Sequence, residues 1–345
     1  MSPINLALIG YGYVGRVFHA PLIEATGGLR LHSIVSRQAG IGGAHPGARV
    51  SADRAQVLAD PQVDAVVIAT PNDTHAPIAL EALQAGKHVL VDKPFTLDLA
   101  QARAIAETAT RAGRVVSVFQ NRRWDADFLT VRRLVEDGAL GEIAEFHSHF
   151  DRHRPQVRDR WRESDAPGAG LWFDLGPHLL DQALCLFGRP QAIAADLMRQ
   201  RSGARSDDYF EVTLHYPRRR VRLHAGSLVA DARLRFAVHG ERGSYLKHGL
   251  DPQEAMLRDG LRPGAPGWGR DPQEGELTLV DADGSMRLQL LPNQDGDYRR
   301  CYAAFAAAIA GEGEGPVTLA DALQLMELLE LAQRAAAAGR VLPVD

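Results

Sequence analysis

The sequence predicts an α/β plus α+β protein: a doubly wound parallel sheet over residues 1–120, then a domain over 121–345 built mainly on antiparallel strands. Three observations carry this. Residues 4–119 alternate short apolar runs with amphipathic stretches, the pattern of successive βαβ units. A glycine pattern, Gly10 to Gly15, follows the first run directly. After Phe119 the strands become longer and alternate apolar with polar residues, as a sheet with one covered face requires.

Taken in order, the first strands fall at Ile4–Ile9, Leu29–Val35, Ala65–Ala69, His88–Val91 and Val115–Phe119. Helices are expected over Val14–Ala25, Arg54–Ala59, Thr74–Ala85 and Asp98–Ala112, and Gly86 and Gly113 stand where left-handed C-terminal caps belong. Beyond them, Ala126–Glu136 reads as helix, Ile143–Phe150 as strand and Leu175–Phe187 as helix. Strands follow at Phe210–Tyr216, Val221–Leu228 and Arg233–His239. The Gly-, Pro- and charge-rich stretch Gly249–Gly275 reads as a long loop, a lid or an oligomer contact. Helices over Tyr298–Ala310 and Leu319–Ala338 close the chain and leave room for packing back toward the first domain.

With 345 residues, 45% of them hydrophobic, each of two domains can build a core. A net charge of -4 with interspersed signs calls for neither nucleic acid nor an anionic membrane. No apolar run approaches spanning length, and the first strand starts almost at once, so a cytoplasmic location is expected. Cys185 and Cys301 lie in apolar helical stretches and are expected in the core; they form neither a metal motif nor a disulfide framework, and no metal site is expected.

The turn Gly10-Tyr11-Gly12-Tyr13-Val14-Gly15 has the strand before it and the helix after it that a dinucleotide-binding G-x-G-x-x-G needs. Gly10 permits the tight turn, Gly12 lets the backbone approach a pyrophosphate, and Gly15 allows close helix-to-strand packing. The helix N-terminus adds free N–H groups and partial positive charge. At the end of the second strand, an acid would select NAD through the ribose 2'-hydroxyl; Ser36 and Arg37 stand there instead and suit a 2'-phosphate. NADP is favoured over NAD, although the arginine can also stack on adenine while the serine serves NAD. After the third predicted strand, the polar groups of Thr70-Pro71-Asn72 and His75 belong beside the ribose and diphosphate; Asp73 or Thr74 also suits a helix cap.

The chain has only three lysines, Lys87, Lys93 and Lys247, and otherwise uses arginine. Lys93 follows Asp92 where a buried strand must stop at Pro94, the strand end at which ligands collect in such sheets. Proline restricts Lys93 to extended backbone and admits a cis bond. A second constellation lies in Asp174-Leu175-Gly176-Pro177-His178, where Pro177 suits the first turn of a helix and the four-residue spacing puts Asp174 and His178 on one side. The plain reading is a capping aspartate and a core histidine. Near a nicotinamide, the pair supplies an acid and a base. Arg152, Arg154, Arg158, Arg160 and Arg162 surround Trp161 and suit an anionic group on a sugar, or equally a salt-bridged surface or a subunit contact.

Together with Phe18-His19-Ala20-Pro21-Leu22, Asn121-Arg122-Arg123-Trp124-Asp125 and Pro316-Val317-Thr318-Leu319-Ala320-Asp321-Ala322, these motifs resemble the Gfo/Idh/MocA family of glucose-fructose oxidoreductases and inositol dehydrogenases along essentially the whole chain. The resemblance implies a Rossmann domain, then an α+β domain with a large open sheet used for homodimer or homotetramer contacts. It implies cofactor contacts at Asp92, Lys93 and Asn121, and catalytic roles for Lys93, Asp174 and His178. The family usually has Glu-Lys-Pro where this chain has Asp92-Lys93-Pro94. The expected function is hydride transfer between a nicotinamide cofactor and a sugar, polyol or related hydroxy compound. Two other readings stay open: a dinucleotide-binding sensor without chemistry, and a cofactor-assisted glycosidase.

Overall fold

The computed structural model describes residues 2–345, which form two compact units. The first comprises residues up to Trp124 with Gln253–Trp268 and Asp297–Met326; the second comprises Asp125–Pro252, Gly269–Gly296 and Glu327–Asp345.

The first unit is a six-stranded, all-parallel sheet of β1 (Ile4–Ile9), β2 (Leu29–Val35), β3 (Arg49–Ser51), β4 (Ala65–Ile68), β5 (His88–Val91) and β6 (Val116–Val118), in the order β3-β2-β1-β4-β5-β6. The β4 run Ala65-Val66-Val67-Ile68 is wholly buried, as a strand with both faces covered must be. Each buried Val or Ile contributes about 1.5–3 kcal/mol. The helix expected over Val14–Ala25 opens as a π turn, Gly15–His19, and continues as α-helix over Ala20–Ala25. Pro21 has no N–H to close an α bond onto Val17, which fits the wider turn before it. Asp98 caps the helix Leu99–Ala112 through the Gln101 N–H, and Gly113 ends it at φ 61°.

The segment Gly249–Gly275, expected as a long loop, is not loop throughout. It contains a helix, Gln253–Arg258, and Leu257 and Trp268 are buried in one core with Leu6, Tyr298, Cys301 and Tyr302. Glycine and proline report local backbone, and they concealed two large apolar anchors.

The second unit is built on nine strands: β7 (Ile143–His149), β8 (Ala192–Met198), β9 (Tyr209–His215), β10 (Arg220–Gly226), β11 (Leu234–Gly240), β12 (Gly243–His248), β13 (Gly275–Val280), β14 (Met286–Leu291) and β15 (Leu342–Pro343). Their order is β14-β13-β12-β11-β7-β10-β9-β8-β15, antiparallel except for the parallel pair β7 and β10. Phe146, Val221, Leu223, Val238 and Tyr245 are buried; Phe146 meets Phe187 edge-on at 5.3 Å, so this face is covered by the helix Leu171–Phe187. Alternate residues point the other way. Register carries Glu145 on β7 to His239 on β11, Ser244 on β12, Thr278 on β13 and Leu288 on β14, so these share the opposite face. At its edge Met286, Leu288 and Leu290 are 76%, 63% and 64% exposed.

The helix expected to begin at Leu175 begins at Leu171. Pro177 is therefore inside it, and Asp174 is not its cap. Gly170, at φ 98°, turns the chain, and Asp207 supplies the cap: its carboxylate accepts from Trp172 N–H at 2.6 Å and its carbonyl from Leu171 N–H at 2.8 Å. A cap from so distant a residue leaves no local trace. Cys301 is buried as expected, whereas Cys185 is exposed. Among the described residues, no helix is long and apolar enough to cross a membrane.

Candidate cofactor and catalytic sites

In the first unit, the three glycines have separable steric roles. A Cβ at Gly10, where φ is 101°, would lie 2.3 Å from the Ala69 carbonyl oxygen; one at Gly15 would lie 2.3 Å from the Gly10 carbonyl oxygen. A Cβ at Gly12 would meet nothing within 4 Å. Gly10 and Gly15 thus serve packing, and Gly12 leaves an open cradle that fits a pyrophosphate. Tyr11 turns its side chain into the core, where its hydroxyl lies 2.6 Å from His45 Nε2, so only its backbone belongs to the turn. Tyr13 is exposed and Val14 half-buried. Ser36 follows β2 and accepts the Gln38 N–H at 3.1 Å; Arg37 beside it is exposed.

Past β4, the Thr74 hydroxyl donates to Thr70 Oγ1 at 2.6 Å, and Asn72 is buried. His75, also buried, sets Nε2 3.0 Å from the Thr70 carbonyl and Nδ1 2.8 Å from the Pro94 carbonyl. It therefore joins the loop after β4 to the loop after β5, and fixes the strand end that carries Lys93. The Lys93–Pro94 bond is cis. Asp92 Oδ1 accepts the Lys93 N–H at 2.8 Å, and Oδ2 lies 3.9 Å from His19 Nε2. His19 in turn sets Nδ1 2.6 Å from the Tyr302 hydroxyl. Burial raises the Asp92 pKa, yet His19, Lys93 and His75 together hold its carboxyl below the usual value. The short acid thus stays charged beneath the lysine. Asn121 is buried in a single 3-10 turn, Asn121–Trp124.

In the second unit, Asp174 and His178 occupy successive turns of the helix Leu171–Phe187, with His178 only 5% exposed. Asp174 Oδ2 is 3.6 Å from Arg152 and Oδ1 is 3.8 Å from Arg162. Arg152, Arg154, Arg160, Arg162 and Asp174 line one cleft, which Asp207 also borders. Burial and the neighbouring Arg152, Arg160 and Arg158 lower the Arg154 pKa, the mark of crowded cations. Trp161 does not line the cleft; it is 39% exposed and Arg162 covers its ring at 5.2 Å.

Sequence reading missed Asp207. Burial raises its carboxyl from 3.8 to about 6, against the lowering effect of the Trp172 N–H. A folded pKa above the unfolded one means that the folded state holds extra protons between 3.8 and about 6. The stability this gives is full at lower pH and is lost as pH rises through about 6. Asp207→Asn keeps an oxygen for the cap and removes the titration. Its unfolding midpoint in denaturant is expected to depend less on pH across that window than the parent's; an unchanged dependence would refute the assignment.

A glycine turn with an open cradle, on the same parallel sheet as a strand end fixed by His75, defines a dinucleotide-binding Rossmann protein. The chain matches the NAD-binding Rossmann fold of an oxidoreductase family over residues 4–120, and that family's C-terminal alpha/beta domain over 132–345. The chain belongs to the Gfo/Idh/MocA oxidoreductase family. It is 51% identical over 329 residues to the uncharacterized oxidoreductase YdgJ of Escherichia coli K12, covering 95% of each chain. It is 34% identical over 348 residues to the scyllo-inositol 2-dehydrogenase (NADP(+)) IolW of Bacillus subtilis, covering 100% of this chain and 97% of that one. An oxidoreductase from Bacillus cereus superposes with a TM-score of 0.91 at 33% identity, over 99% of each chain.

Proposed function

We propose that this oxidoreductase is an NADP-preferring dehydrogenase or reductase acting on a carbinol or carbonyl carbon of a sugar, polyol or related hydroxy compound. The observation that carries the reading is Lys93: an ammonium at the end of β5, on the sheet edge where the glycine turn ends β1. The turn that Gly10 and Gly15 shape, open at Gly12, would hold the cofactor together with Thr70 and Asn72; when bound, the cofactor supplies the hydride acceptor or donor. His178 takes the hydroxyl proton in oxidation and returns it in reduction. The Lys93 ammonium stabilises the developing alkoxide. Asp174, held by Arg152 and Arg162, positions the histidine or a substrate hydroxyl.

NADP preference rests on exposed Arg37 beside Ser36, where an acid is absent, and accords with the NADP dependence in the name of the 34%-identical IolW. A hydrogen bond to a charged group contributes about 1.5–3 kcal/mol, so Arg37→Ala is expected to weaken NADP binding roughly ten- to hundredfold and NAD binding far less. Fluorescence titration of both cofactors measures this, followed by an absorbance screen over polyols, sugars and sugar acids. Equal loss for both cofactors removes the basis for NADP; cofactor binding without turnover on any of the panel removes the proposed chemistry.

A further inference from the structure

The second unit's sheet assembles three side chains that no sequence motif links. In the parallel pair of β7 and β10, His149 stands opposite His224, so the two imidazoles project from the same face. The ladder continues past β7: Phe150 N–H donates to the His224 carbonyl and Arg152 N–H to the Gly226 carbonyl, both at 2.9 Å. Asp151, two residues beyond His149, therefore joins that face. One Asp151 oxygen lies 3.2 Å from His149 Nδ1, and the other lies 2.8 Å from His224 Nδ1.

We propose that His149, Asp151 and His224 form a binding site for a divalent first-row transition-metal ion, with Zn²⁺ the best match. Two imidazoles and one carboxylate are a borderline-soft donor set that suits zinc and its neighbours, and does not suit Mg²⁺ or Ca²⁺, which require oxygen ligands. The three donor atoms lie within 4.8 Å of one another. At metal–ligand distances of about 2.0–2.1 Å, tetrahedral donors sit roughly 3.3 Å apart, near the 3.2 Å between His149 Nδ1 and the Asp151 oxygen that faces it. His224 Nδ1 is buried and, despite its short approach to Asp151, makes no properly aligned hydrogen bond. A cation between the two groups satisfies both without that alignment. Gly226 N–H donates to Asp151 Oδ1 at 3.0 Å, an outer contact of the kind that orients a ligating carboxylate. His149 and His224 side chains remain 21% and 19% exposed, leaving an entry path and room for solvent ligands.

The ion would clamp the end of β7 to the end of β10, one residue before Arg152, whose guanidinium faces Asp174. The site is independent of the hydride chemistry, and its test does not require a known substrate. The untagged full-length chain, stripped with chelator, is titrated with ZnCl₂ by calorimetry and with Co²⁺ by visible absorption. One ion per chain is expected, with a Co²⁺ ligand-field spectrum. His149→Ala and His224→Ala should each weaken Zn²⁺ binding at least about tenfold, and Asp151→Asn, which keeps the shape of the side chain, should do the same. His147→Ala, on the same face but outside the triad, should bind like the parent. Circular dichroism of the metal-free variants reports their folding; if both histidine variants unfold, Asp151→Asn decides. Absent stoichiometric binding, or binding unaltered in the folded triad variants, overturns the proposal.

Discussion

His178→Ala is expected to lower turnover on an identified substrate by about 10²- to 10⁴-fold, the usual contribution of a positioned acid or base, while cofactor affinity stays within a few-fold of the parent. Lys93→Met should act on the same step, since it removes the charge opposing a developing alkoxide and keeps the length of the side chain. Groups that act together are not additive, so the double variant should lose little more than the worse single one. Steady-state kinetics give kcat and KM, and a cofactor titration on each variant separates chemistry from binding. His178 is nearly buried on a long helix, so thermal unfolding of His178→Ala must also be followed; a folded variant with near-normal turnover refutes its role. For Lys93, the outcome that tells against catalysis is a rise in KM with kcat unchanged. That pattern would assign the ammonium to ground-state binding.

What could be read in the sequence follows the range of the interaction behind each feature. The parallel strands are short β-branched runs buried on both faces, and the glycine turn gathers its three roles within six residues, so local reading reached both. The edge strand Arg49–Ser51 escaped because three largely exposed residues carry no apolar pattern. No strand was expected at β13 or β14, where apolar side chains such as Met286, Leu288 and Leu290 face outward and blur the alternation. The helix begins at Leu171, four residues before the expected Leu175, because its cap comes from Asp207, and this leaves Pro177 inside the helix rather than in its first turn.

The same distinction divides the candidate residues of the two units. Lys93 was conspicuous by rarity and by the strand end, and Asp174 with His178 by helical spacing. What holds them was not visible. His19 reaches Tyr302 across 283 residues of sequence, and His75 fixes Pro94 from a different loop. His75, expected beside the cofactor, staples these two loops through its ring nitrogens. Asp92 explains itself similarly. Its short side chain folds back onto the Lys93 N–H, while its other oxygen faces His19, so a charged carboxylate is retained beneath the lysine without a longer acid.

Gly12→Ala is expected to separate cofactor binding from folding. Its Cβ meets no protein atom within 4 Å and its backbone does not need a positive φ, so stability should stay level or rise by about 0.4–1 kcal/mol through the unfolded chain. The same methyl group enters the cradle through which a pyrophosphate must approach the backbone. Cofactor affinity should therefore fall at least tenfold, about 1.4 kcal/mol. Gly10→Ala is the contrasting case. At φ 101° an alanine is strained, and its Cβ lies 2.3 Å from the Ala69 carbonyl oxygen. Ala69 is itself held by its N–H to the Ile9 carbonyl at 2.8 Å, so the crowded strand end cannot simply move aside. Backbone strain alone costs about 1–3 kcal/mol, so Gly10→Ala should lose both stability and cofactor affinity. Thermal unfolding and cofactor titration on the two variants read the two quantities separately. If Gly12→Ala bound cofactor as the parent does, the open space at Gly12 would not be where the pyrophosphate lies.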